Sequence, residues 1–163
     1  MNRRKFIAMA GIGLISLPLI ASRTLANKGN ASMNNDEFVK TDEEWKKILT
    51  SEQYHVLRDE GTEPAHSSAL NKEKRKGQYV CAACESPLFN SEMKYDSGTG
   101  WPSFYTSLPN ALETKTDFKL IYPRTEYHCA RCGGHHGHIF KDGPKPTGQR
   151  WCNNGIALKF IPA

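Results

Sequence analysis

An almost uncharged apolar block occupies residues 6–20, and beyond it apolar positions recur first at helical and then at strand spacing. Trp45, Ile48 and Leu49 lie on one face of a predicted helix, and Thr41 followed by Glu44 supplies its capping box. Ser51 is placed to cap a second short helix through Tyr54 and Leu57, with Gly61 as the residue that ends it. From Gly77 onward the pattern shortens to apolar or alternating runs at 78–81, 88–89, 119–122, 126–129, 138–140, 149–152 and 156–161, separated by Gly, Pro and Asn. Such runs predict antiparallel strands. The expected fold class is mainly β or α+β: one or two twisted antiparallel sheets with short N-terminal helices packed at one end.

At 163 residues the chain suits one domain with a real core. The apolar block follows Arg3-Arg4-Lys5 and precedes small residues around Thr24-Leu25-Ala26, the layout of a signal peptide over residues 1–26. The competing reading, a membrane anchor, meets two objections. The block is shorter than the roughly 20 residues of a span, and Gly11, Gly13, Ser16 and Pro18 interrupt it. Arg3-Arg4-Lys5-Phe6-Ile7 also resembles a twin-arginine export signal. The expectation is an exported, periplasmic protein with no stable membrane anchor after cleavage. Residues 27–40, rich in Asn, Ser, Gly and Lys, read as a flexible linker to a domain at 41–163.

Export also changes the meaning of the charge. The leader carries Arg3, Arg4, Lys5 and Arg23 and no acid, so the +5 of the whole chain falls to +1 in the mature domain. A nearly neutral domain offers no case for nucleic acid or an anionic membrane as partner. The basic run at 72–76 reads as a solvated loop.

The five cysteines fall into two C-x-x-C pairs, Cys81/Cys84 and Cys129/Cys132, and a remainder, Cys152. Zn2+ takes four tetrahedral thiolates, and a C-x-x-C turn brings two sulfurs onto one ion. Gly133 gives the second turn the glycine such knuckles use, whereas Glu85-Ser86-Pro87 follows the first. Disulfides and a thioredoxin-like redox pair are the alternatives. A C-x-x-C disulfide is strained, and no thioredoxin-like βαβ unit is present, so the favoured reading is a closed, structural zinc site. A twin-arginine route carries folded proteins and would let zinc load before export.

A lone cysteine is most often a buried core residue. Around Cys152, however, the chain also offers Arg150, the cluster His135-His136-Gly137-His138, and the glycine-rich loop Asp96-Ser97-Gly98-Thr99-Gly100-Trp101-Pro102-Ser103-Phe104. Taken in order, Tyr79-Val80-Cys81-Ala82-Ala83-Cys84, Ser97 to Phe104, Cys129-Ala130-Arg131-Cys132-Gly133, Gly137-His138-Ile139-Phe140 and Arg150-Trp151-Cys152-Asn153-Asn154 resemble the type B methionine sulfoxide reductases.

The resemblance implies a β-rich domain with a structural zinc that reduces the R epimer of methionine sulfoxide in oxidised proteins. It implies Cys152 as nucleophile, His138 with His135 acting on the sulfoxide oxygen, Asn154 helping to fix the substrate, and Trp101 as the wall that takes the methionine methyl. His136 stands where the family usually has an apolar residue. Thiol attack on a sulfoxide calls for protonation of the departing oxygen, and a low-pKa thiol beside an imidazole acid would supply it, with Arg150 as a lowering charge next to the substrate. The family often has a resolving cysteine where this chain has Thr99. An external thioredoxin-like protein or small thiol is therefore the expected reductant. Two rival readings remain: a zinc-knuckle binding module without catalysis, and a disulfide reductase, which needs a second redox cysteine.

Overall fold

The computed structural model describes residues 38, 40–119 and 122–163. The expected leader, and the linker apart from Phe38 and Lys40, lie outside the described residues.

Helix α1 (Asp42–Ile48) opens with the expected box: the Glu44 amide donates to Thr41 Oγ1, and the Thr41 amide donates to Glu44 Oε2. Trp45 and Leu49 are buried, but Ile48 is 56% exposed. The helix ends at Ile48, and an extended Leu49 turns inward in its place. Helix α2 (Ser51–Leu57) is capped by Thr50, not Ser51. The reason is the third partner position: Thr50 has Gln53 there to complete a reciprocal box, whereas Ser51 would have Tyr54. Nor does Gly61 end this helix. Arg58 caps it, and the left-handed backbone that follows belongs to Glu60, at φ 55°.

Among the described residues nine strands follow: β1 (Gly77–Cys81), β2 (Pro87–Asn90), β3 (Lys94–Tyr95), β4 (Ser103–Phe104), β5 (Leu112–Asp117), β6 (Arg124–Cys129), β7 (His135–Phe140), β8 (Arg150–Asn153) and β9 (Leu158–Pro162). They form a three-stranded sheet, β2-β1-β9, and a six-stranded sheet, β3-β4-β8-β7-β6-β5, paired antiparallel throughout. The mainly β fold with two short helices is as the spacing predicts. Of the strand expected at 119–122, residues 120–121 lie outside the described residues and Lys119 and Tyr122 are in bends, while the polar run just before them forms β5. An edge strand needs little apolar surface, and Thr-rich alternation is enough to pair it with β6.

Aromatic side chains join the sheets. Phe89 of β2 stacks on Phe104 of β4 with ring centroids 4.0 Å apart, Tyr79 of β1 meets Phe104 edge-on at 5.0 Å, and Tyr127 of β6 meets Trp151 of β8 at 5.0 Å. Tyr127 and Trp151 turn to the core. Their neighbours Glu126 and Cys152 therefore point to the opposite face of the six-stranded sheet.

A strap after α2 is tied to the elements around that outer face. Glu60 pairs with Lys115 and Lys119, and those two hydrogen bonds hold its carboxyl down at about 2. The Glu63 carbonyl accepts from Trp101 Nε1 (3.1 Å), its amide donates to Asn154 Oδ1 (3.0 Å), and its carboxylate accepts from the amides of Gly155 and Ile156. Farther along, the His66 amide and the Asn71 side chain both donate to the Gly100 carbonyl.

Candidate active site

Strand register assembles the site. Ser103 is opposite Cys152, Cys152 opposite His138, His138 opposite Glu126, and Glu126 opposite Lys115, so residues from five strands lie on one rung of the outer face. Such a rung places neighbouring Cβ atoms about 4.5–5.5 Å apart. β7 comes very close to β8 here: a Cβ on Gly137 would fall 1.9 Å from the Cys152 carbonyl oxygen, so only glycine fits between His136 and His138.

His135 and His138 would point to opposite faces of a regular strand. A bulge where β6 meets β7, between Tyr127 and His128, lets both face Glu126, their rings 5.5 Å apart. His135 is buried and donates from Nδ1 to Glu126 Oε1 at 2.6 Å, and His128 lies 3.1 Å from the other oxygen. Burial works to raise the Glu126 pKa, but these two partners outweigh it and hold it below the usual carboxylate range. His136 is turned into the core, flat against Tyr127.

His138 donates from Nε2 to Asp117 Oδ2 at 2.7 Å, and Arg124 Nη2 reaches the same oxygen at 2.6 Å. Burial lowers the His138 pKa and the Asp117 bond opposes it only in part. The imidazole is therefore neutral at pH 7, with Nδ1 as its free nitrogen. Asp117 is held well below the carboxylate range, first by the Lys119 amide and then by His138 and Arg124.

A cavity of about 140 Å³ opens beside Cys152, lined by Trp101, His138 and Asn154 and by Thr62, Arg124 and Phe140. Four of the residues picked out from the sequence thus come together there: Cys152, His138, Asn154 and Trp101. Two do not line it. His135 lies behind His138, and Arg150 is turned to Asp142, which it grips through Nε and Nη2 at 2.9 Å each, its guanidinium 4.2 Å from the Phe140 ring centroid. The Asn154 amide is already committed, accepting from the Glu63 amide and donating to the His136 carbonyl.

The low-pKa thiol expected at Cys152 is not what the environment produces. Burial raises its pKa above that of an ordinary thiol, against the lowering effects of the Arg150 charge and the Thr99 hydroxyl. Burial is the larger effect, and Asp142, paired with the Arg150 guanidinium, adds a smaller raising contribution of its own.

Sequence reading missed Asp117, Arg124, Phe140, Thr62 and Glu63. The first two sit at alternating positions of β5 and β6 that face the rung, but the register that aligns them with His138 was invisible without the pairing. Thr62 and Glu63 lie in a segment with no periodicity at all.

The four remaining cysteines converge at the other end of β7. Cys81 Sγ and Cys132 Sγ are 3.7 Å apart, Cys84 Sγ and Cys129 Sγ 3.6 Å, and all four buried sulfurs lie within 4.8 Å of one another. A tetrahedral ion with bonds of about 2.3 Å to sulfur needs edges of about 3.8 Å, which the Cys81–Cys132 and Cys84–Cys129 distances meet. The two turns are alike. The Glu85 amide donates to the Cys81 carbonyl and the Gly133 amide to the Cys129 carbonyl, both at 2.9 Å, with Glu85 (φ 59°) and Gly133 (φ 68°) both left-handed. The residue after the second cysteine thus takes the same role in each, by glycine in one and by glutamate in the other. Cys81 and Cys129 end strands of different sheets, so an ion here ties the sheets together and anchors the start of β7.

Comparison with known proteins gives the same residues a context. The SelR domain matches residues 49–162. A peptide methionine sulfoxide reductase MsrB of Leptospira interrogans is 54% identical over 127 residues, covering 77% of this chain and 97% of that one. The MsrB of Methanosarcina barkeri is 52% identical over 74% of this chain and 86% of its own. The chloroplastic peptide methionine sulfoxide reductase B1 of Arabidopsis thaliana is 50% identical over 77% of this chain and 63% of its own.

Proposed function

The chain belongs to the SelR-domain family, the type B methionine sulfoxide reductases, and from that membership we infer that it reduces methionine sulfoxide in oxidised proteins to methionine. It is an enzyme of protein repair. The observation that carries this reading into the site is the direct opposition of His138 and Cys152 above a cavity walled by Trp101.

In the mechanism we favour, the sulfoxide end of the side chain enters the cavity, its methyl against the Trp101 ring and its oxygen toward His138. Cys152 sulfur attacks the sulfoxide sulfur, and as the protonated oxygen is handed from that sulfur to Cys152 the new S–S bond breaks, its electron pair returning to the methionine sulfur. The thiol proton passes to the departing oxygen through the neutral His138 imidazole, whose Nε2–H is held by Asp117. The exchange balances without an outside proton: thiol plus sulfoxide becomes sulfenic acid plus methionine. A resting thiol of raised pKa suits this step, because the proton it loses is the one the oxygen requires. Asn154 acts as a positioning residue, holding the Glu63 strap that carries the Trp101 indole. His135 fixes Glu126 behind the rung, and Arg150 tunes Cys152 from the side.

Cys81, Cys84, Cys129 and Cys132 would hold zinc, whose role is to close the fold, since four sulfurs leave no open coordination position. With those thiols committed and Thr99 in the glycine-rich loop, Cys152 has no partner for an internal disulfide. Its sulfenic acid is then reduced back to the thiol by two thiols of an external thioredoxin-like protein or small thiol, which leave as a disulfide while the oxygen leaves as water. The R epimer is the stereochemistry the family resemblance supports. The basic-apolar N-terminus, with its paired arginines, supports export to the periplasm. A zinc-knuckle module without catalysis leaves the Cys152 cavity without a purpose.

The decisive experiment gives the enzyme excess oxidised protein without reductant. One methionine formed per chain, a trappable sulfenic acid at Cys152 and no product from Cys152→Ser are expected. Turnover by Cys152→Ser overturns the reading, and an intramolecular disulfide at Cys152 overturns the external route of reduction.

A further inference from the structure

At about 140 Å³ the cavity at Cys152 is below the roughly 300–1,000 Å³ that encloses a whole small ligand, so it takes the tip of one side chain. The polypeptide bearing that side chain must continue over the surface beside it. A groove of about 700 Å³ adjoins the cavity. Thr62 lines both, and the chain after β8 passes from Asn154 on the cavity wall to Gly155 and Ile156 in the groove. Its lining includes Val56 and Leu158, both buried, the partly buried Leu70 and Ile156, and the exposed Pro64 and Ala69. Glu63, which stands at the groove, has its carboxylate occupied by the Gly155 and Ile156 amides and presents little free charge to an occupant.

We propose that this groove is a subsite for the substrate polypeptide and takes an apolar side chain one to three residues from the methionine sulfoxide. The proposal rests on the Cys152 cavity holding the sulfoxide. An extended chain advances about 3.3–3.6 Å per residue, so a neighbouring side chain leaving the cavity past Thr62 comes within reach of the adjoining groove. The exposed Glu52 and His55 also stand in the lining, and its aliphatic part selects for leucine, isoleucine or phenylalanine over serine or aspartate. The enzyme would then favour methionines from apolar stretches, which unfolded, oxidised proteins expose.

The test compares kcat/KM of the full chain for oxidised peptides carrying leucine or phenylalanine beside the sulfoxide with that for peptides carrying serine or aspartate, and for free methionine sulfoxide. Apolar neighbours should raise kcat/KM about tenfold. Ala69→Glu, at an exposed position, should abolish that preference and transfer it to peptides with a neighbouring lysine, while Leu70→Glu repeats the loss. Free methionine sulfoxide, which does not reach the groove, should be turned over at the same rate by wild type and Ala69→Glu. Equal rates across the peptide series overturn the subsite. The catalytic reading still stands in that case if free sulfoxide is reduced by wild type and not by Cys152→Ser. A change of sedimentation mass in Ala69→Glu without a change of peptide preference assigns the groove to a second copy of the chain, and that also overturns the proposal.

Discussion

His138 on β7 reaches across the intervening strand β6 to hydrogen-bond Asp117 on β5 at 2.7 Å. That bond fixes which imidazole nitrogen faces away from the carboxylate. It also makes Asp117, which no sequence motif marks, part of the orientation of the His138 ring, the proton carrier of the proposed mechanism.

His138→Ala should lower kcat by about a hundredfold or more, in the range of a lost proton-transfer group. Asp117→Asn, which keeps shape but not charge, should lower it by about tenfold. Both should keep the wild-type metal content and circular dichroism spectrum. An unchanged rate in His138→Ala would move the proton to His135.

The Cys152 thiol should be alkylated by iodoacetamide with a pH midpoint above that of an ordinary cysteine, since burial outweighs Arg150. Deprotonation grows as pH rises through that raised value. Arg150→Ala removes a lowering charge and should push the midpoint higher, whereas Asp142→Asn removes a raising charge and should bring it down. Mass spectrometry of the Cys152 peptide reads each case. A wild-type midpoint below neutrality would show that a thiolate already forms at rest.

Purified protein should contain one zinc per chain. Cys81→Ser should cost several kcal/mol of stability or prevent folding, because metal affinity here is folding energy. Cys152→Ser should keep both the metal and the melting temperature. Elemental analysis and thermal melts decide it, and a folded, metal-free wild type with two disulfides would refute the site.

His136→Leu should stabilise the protein. The ring is fully buried and neither nitrogen has a hydrogen-bond partner, while Asn153 spends its amide on the Tyr127 hydroxyl and the Asn154 carbonyl. An unpaired buried polar group costs about 1–3 kcal/mol. Burial also lowers the His136 pKa to about 4. The unfolded chain therefore takes up a proton near pH 6.5 that the folded chain refuses until about 4, so stability falls as pH drops through that window. The gain from His136→Leu in urea unfolding should be larger at pH 5 than at pH 7.5. A variant less stable at both would mean that the imidazole packs better than leucine.

What the sequence alone determined is what is local in the chain. Two C-x-x-C turns at Cys81 and Cys129 announce a four-sulfur site because each turn sets its own pair of sulfurs, and the Thr41/Glu44 box starts a helix because its partners are three residues apart. Three of the residues lining the cavity around Cys152, namely Trp101, His138 and Asn154, were legible through motifs that resemble the family's. What only the tertiary structure decided is how distant segments meet. Strand register chose the rung that sets His138 against Cys152, and one bulge put His135 beside His138 while sending His136 into the core. Pairing across β6 supplied Asp117, and the strap brought Glu63 between Trp101 and Asn154. The state of the thiol was decided there as well. Arg150 lies two residues from Cys152 in sequence, but Asp142 neutralises it and burial prevails, and electrostatics of that kind depend on three-dimensional distance and solvent exclusion, which no linear spacing encodes.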